Sequence, residues 1–133
     1  MSVDVGAVGR WFDDYFDTFA ACVRGDRDMA ALLACYGVPL VVTSDDGVID
    51  VVTEDEAAAV MQSQVDVLRA MGYHHTDVLH PEVTVLNSTS ALFRGTMSRR
   101  DGAGGEVGCP TISYVVTDDS VGLRIKLVAV HGQ

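Results

Sequence analysis

The sequence is short of cysteine, of basic residues and of long apolar runs, and each shortage excludes something. The three cysteines, Cys22, Cys35 and Cys109, are odd in number and contain no CxxC pair. They outline neither a disulfide framework nor a zinc site, so no metal is expected. Reduced, mostly buried thiols of a cytosolic protein fit better. No apolar run approaches the roughly 20 residues that span a bilayer. The opening MSVDVGAVGRWFDDYF lacks a basic start followed by an apolar core, so it does not read as a secretory signal, and a cytoplasmic protein is the expectation. Basic residues number 9 against 19 acidic ones, a net charge of −10. That balance repels phosphate backbones and anionic membranes, so neither nucleic acid nor membrane is an expected partner. Repeats, low-complexity tracts and long linkers are also missing.

What is present suits one domain over residues 1–133. With 48% apolar residues the chain argues against disorder. At this length a domain hides roughly 70% of its unfolded surface without needing staples. The charge is uneven: residues 1–66 carry 13 acidic and 3 basic side chains, residues 67–133 six of each. The acidic excess reads as a solvated helix surface.

The first third is patterned as helix. Val8, Trp11, Phe12, Tyr15, Phe16, Phe19 and Val23 recur at spacings of three and four, with Asp13, Asp14 and Asp17 mainly on the other face. Gly25 is a stop signal, and Asp26 is placed to cap a second helix running to about Cys35. Residues 39–44 (PLVVTS) read as a strand, Asp45-Asp46-Gly47 as a turn and residues 48–52 as a returning strand. Thr53 and Glu56 form a capping box for a helix over 54–71, which Gly72 ends. Four long strands follow, over 73–86 with a bend near Pro81, 90–100, 106–117 and 121–131. The Gly-rich stretch 101–105 fits a hairpin loop; it lacks the GxGxxG spacing and no helix follows it. Segregated helices and hairpin-linked strands define an α+β chain.

The aromatic first helix (WFDDYFDTF), the hairpin around VVTSDDGVIDV, the single long helix, and the ending SALFRGTMSRRDG then TISYVVTDDSVGLRIKLVAVH come in a telling order. In that order the chain resembles the nuclear transport factor two-like, or SnoaL-like, superfamily. One departure is Leu123, where many members carry a tryptophan. The resemblance implies three N-terminal helices packed on a strongly curved mixed or antiparallel sheet, forming a cone with a central pocket. It also implies a homodimer through the sheet. Fold does not name function, since members include isomerases, cyclases, epoxide hydrolases, dehydratases and association domains.

Pocket walls in such a fold come from the first and third helices and the concave sheet face. Trp11, Tyr15, Phe19 and Tyr36 are the candidates from the first part of the chain, and Met61, Gln64 and Leu68 from the third helix. His75 and Tyr114 add strand positions. Period-2 alternation leaves two faces open on each strand: Leu92, Arg94, Thr96 against Ala91, Phe93, Met97; Ile112, Tyr114, Val116 against Thr111, Ser113, Val115; and Leu123, Ile125, Leu127 against Arg124, Lys126, Val128. The more apolar set should face the helices. Arg94 and Lys126 are then strand-interior cations of the convex face.

Isomerase chemistry needs a carboxylate base in a dry pocket and donors for an oxyanion. The resemblance matches Tyr15 to the donor and, loosely, Asp45 or Asp46 to the base, with Cys109-Pro110-Thr111 where a second acidic donor would stand. His75 and Asp77 share one strand face and supply an alternative base and orienter. Arg99-Arg100-Asp101 sits at a hairpin end, poorly placed for epoxide-hydrolase chemistry. The leading reading is a binding module for a small apolar or aromatic molecule, without assured catalysis and with no cofactor. The alternatives are an isomerase or cyclase using Tyr15 with an acidic or His base, and a structural dimer whose cavity is filled by its own side chains.

Overall fold

The computed structural model of the protein describes residues 3–119 and 121–132. Helix α1, Val5–Arg24, begins where the Asp4 carboxylate accepts a hydrogen bond from the Ala7 amide (2.8 Å) and ends at Gly25, whose φ of 83° suits a residue without a Cβ. Val8, Phe12, Tyr15, Phe19 and Val23 are buried, while Trp11 and Phe16 flank them half-buried and Asp13, Asp14 and Asp17 face solvent. The helical stripe read from the sequence is the packed face.

Helix α2, Met29–Leu33, is shorter than expected. Its cap is Asp28, not Asp26, because Asp26 is taken up in the turn: its amide donates to the Ala21 carbonyl and its carboxylate pairs with Arg24 at 3.0 Å. Strands β1, Tyr36–Ser44, and β2, Gly47–Val51, form the first hairpin. Helix α3, Glu54–Ala70, starts at the expected box, with the Glu56 amide donating to Thr53 Oγ1 at 3.1 Å. From it Arg69 donates to the Val23 and Cys22 carbonyls (2.7 and 2.9 Å) at the end of α1, where Cys22 also accepts from the Gly25 amide.

The remaining strands are β3, Tyr73–Asn87, β4, Ser90–Asp101, β5, Glu106–Gly108, β6, Thr111–Asp119, and β7, Gly122–Val130. The strand expected over 106–117 is two strands, broken at Cys109-Pro110, where proline has no N–H for a ladder; the Pro110 carbonyl instead accepts from the Met97 amide. β3 bends as expected, its register against β4 shifting between Leu79 and Glu82 around Pro81. The sheet runs β2-β1-β7-β6-β4-β3, with β5 beside β4. Every pairing is antiparallel except β1 with β7. That is a curled, unclosed mixed sheet of seven strands, with helices on its concave side.

The core lies between that side and α1 and α3. Phe12 stacks on Phe93 of β4 with ring centroids 4.1 Å apart, and Ile112, Val116 and Ile125 are buried with them. Curvature demands a glycine at position 95: a Cβ there would stand 2.9 Å from Val78 Cγ1 on β3. None of the described helices is long and apolar enough to cross a membrane.

Candidate functional site

Helix α1 supplies Tyr15, Phe16 and Phe19 to one wall of a cavity, because Phe19 lies four and three residues beyond Tyr15 and Phe16, on the same side of the helix. Helix α3 supplies Val60, Met61 and Gln64 in the same way, and the sheet closes the floor with Tyr36, Met97, Ile112 and Tyr114. The cavity holds about 500 Å³ and its lining is mostly apolar.

Sheet alternation decides which strand residues enter. In β4 the inward set is Ala91, Phe93, Gly95 and Met97, all buried, and in β6 it is Ile112, Tyr114 and Val116. Both are the more apolar sets, as expected. In β7 the expected alternation fails partway. Val116 pairs with Ile125 but Val115 pairs with Leu127, so Lys126 is an extra residue and the phase flips beyond it. Val128 and Val130 therefore line the cavity, and Leu127 turns outward.

Three tyrosines meet at one part of the wall. The Tyr15 and Tyr36 hydroxyls hydrogen-bond to each other, and the Tyr114 ring packs beside that of Tyr15. Their ring centroids lie 5.9 and 5.8 Å from that of Tyr15. Burial pushes the Tyr15 hydroxyl well above the ordinary tyrosine range, and the neighbouring Tyr36 and Tyr114 push it further. Burial also raises Tyr36 and Tyr114, against the opposing pull of the Arg99 guanidinium on both. At neutral pH all three are protonated, so they act as hydrogen-bond donors and acceptors and not as bases.

Of the positions singled out from the sequence, Tyr15, Phe19, Tyr36, Met61, Gln64 and Tyr114 are on the cavity lining. Three others are not. Trp11 lies on the flank of α1, stacked parallel to Tyr15 at 5.8 Å, one turn from the opening. Leu68 is buried in the core at 1% exposure, beyond the cavity's end. His75 sits on the outer face of β3, because Thr76 is the residue that points inward there. Its Nε2 stands 3.7 Å from Asp77 Oδ1, and Asp77 in turn faces Arg100 at 3.6 Å. Asp45 occupies the exposed turn between β1 and β2, beside Gly132. The proposed bases Asp45, His75 and Asp77 are thus kept apart from Tyr15 by the sheet itself.

Arg99 was missed. It was read as part of a hairpin end, yet β4 continues to Asp101 and places Arg99 on the inward face two residues after Met97. Extending the alternation Phe93, Gly95, Met97 by one step would have found it. Among the described residues, no carboxylate or imidazole lines the cavity. Among them also, no three His, Cys, Asp or Glu side chains gather as a metal ion requires.

With this geometry the chain falls in the class of helix-filled, curled-sheet cones. The chain belongs to the NTF2-like protein family DUF6841, whose family description matches residues 5–133. Comparison with curated proteins finds no match. Solved structures of similar fold include a cystatin-like protein of unknown function from Nostoc punctiforme (TM-score 0.75, 11% identity, 98% of this chain and 93% of that one). The yeast UBP3-associated protein BRE5 is also similar (0.72, 12%, 97% and 96%). So is a candidate dehydratase of the NTF2-like family from Streptomyces avermitilis (0.69, 18%, 96% and 94%). At these identities the likeness is one of fold.

Proposed function

We propose that the protein is a small-molecule-binding NTF2-like domain whose ligand is largely apolar or aromatic. The observation that carries this reading is the cavity: about 500 Å³ of open volume, bounded mostly by apolar side chains, with a few polar groups among them. Ligand sites are typically concave, apolar and marked by a few placed polar groups, at volumes of roughly 300–1,000 Å³. The same open volume weighs against a cavity filled by the chain's own side chains. The isomerase alternative finds its donor in Tyr15 but no base beside it among the described residues. Naphthalene is a suitable rigid probe. It should bind the native chain saturably, and Val60→Trp, which puts an indole into the cavity, should abolish that binding. Binding that survives the filling overturns the assignment of the site.

A homodimer through the sheet is the second proposal, and a specific feature supports it. Leu92, Val115 and Leu127 pair across β4, β6 and β7 into one apolar row on the convex face. Sedimentation of the native chain should give a dimer, and Val115→Glu should give a monomer of unchanged fold; a monomeric native chain contradicts the proposal. The three free cysteines support a reducing compartment such as the cytoplasm.

A further inference from the structure

Arg99 and Arg100 are neighbours in sequence and opposites in situation. Arg100 points to the outer face, where it meets Asp77 at 3.6 Å and donates to the Gly104 carbonyl at 3.1 Å. Arg99 points into the cavity. The ion pairs found among the described residues engage Arg24, His75 and Arg100, and none engages Arg99. A guanidinium carries five N–H donors, cannot act as an acceptor and stays charged. An otherwise uncharged cavity thus contains one permanent positive charge with no counter-charge on its walls.

The tyrosine trio extends the same polarity. The Tyr15–Tyr36 hydrogen bond commits one of the three hydroxyl protons and leaves the others to donate. Arg99 pairs with Thr76 across β4 and β3, and both line the same cavity as Tyr36 and Tyr114. This region is rich in donors and has no anion of its own. Apart from Ser63 and Gln64 on α3, the rest of the lining is aromatic and aliphatic.

We propose that the ligand is an aromatic or alicyclic carboxylic acid, its carboxylate held by Arg99 beside the tyrosine hydroxyls and its body filling the apolar remainder of the cavity. This rests on the binding reading above and narrows it. A carboxylate matches the single guanidinium in charge and in planar two-oxygen geometry. A phosphate monoester brings close to two negative charges to one cation, and the cavity offers no second arginine or lysine. The chain's net charge of −10 opposes anions in general. Any preference for an acid must therefore come from the local cation.

The test compares 2-naphthoate, 2-naphthamide and naphthalene on the native chain, followed at the Met61 and Met97 methyl signals. The acid should bind about ten- to a hundredfold more tightly than the amide, the range of one charge-assisted contact in a sheltered site. Arg99→Gln should bring acid and amide to near parity while naphthalene affinity stays within about twofold. The comparison on the native chain decides the matter even if the variant folds poorly. If amide and hydrocarbon bind as well as the acid, the carboxylate assignment falls and the apolar site stands. If none of the three binds, the binding reading falls with it.

Discussion

Tyrosine is the residue on which the site's chemistry turns. The chain has four, and burial raises the pKa of every one: Tyr15, Tyr36, Tyr73 and Tyr114. The fold therefore holds the protonated form of each. Their contribution to stability is complete below the ordinary value of 10.0 and is lost as pH rises towards the elevated folded values. Absorbance near 295 nm reports tyrosinate directly. It should stay flat through about pH 10, where free tyrosine titrates, and rise only together with loss of the near-ultraviolet circular dichroism. A half-maximal step at pH 10 in folded protein would show the hydroxyls to be wet. Tyr15 and Tyr36 were readable as cavity residues because helical spacing and position after α2 put them on the buried side. Arg99 was not, because its charge and its place beside a glycine-rich loop suggest a hairpin end, although the strand expected over 90–100 already reaches it.

At the scale of elements, the curvature of the sheet is the feature that makes room for a cavity. It is concentrated where β3 crosses β4. Gly95 leaves the space that Val78 fills, and a methyl at 95 would meet Val78 Cγ1 at 2.9 Å and Met97 Cε at 3.4 Å. Gly95→Ala should destabilise the protein by about 1–3 kcal/mol through overpacking. Adding Val78→Ala should restore most of that loss in a denaturant titration; a double variant no better than Gly95→Ala would mean the glycine serves some other need. Helix ends and hairpins were largely legible, since Thr53, Gly25 and Gly72 are local signals, whereas the Asp4 and Asp28 caps were not read. Two strand features were not. The break at Cys109-Pro110 falls in a run that otherwise alternates well. The extra residue at Lys126, which exchanges Leu127 for Val128 in the cavity wall, leaves no mark in a sequence of mixed apolar residues. Bulges arise from pairing with a neighbour, and the neighbour of a strand is not a local property.

For the whole molecule, the order of elements and the aromatic first helix were enough to recognise the cone, and the family match over residues 5–133 agrees. The parallel pairing of β1 with β7 joins the first hairpin to the end of the chain and turns the meander into one continuous curled sheet. That sheet puts Asp45, His75 and Asp77 outside the cavity and Arg99 inside it. Alternation along one strand sorts its residues by face, but which face is inside is settled only once the sheet has curled. The central claim is that the interior of the cone is a binding site. Methyl-labelled methionines test it with built-in controls: Met61 and Met97 line the cavity, whereas Met29 and Met71 do not. Titrated with naphthalene, Met61 and Met97 should shift saturably while Met29 and Met71 stay fixed. No saturable shift at Met61 and Met97, or equal shifts at all four, would contradict the account.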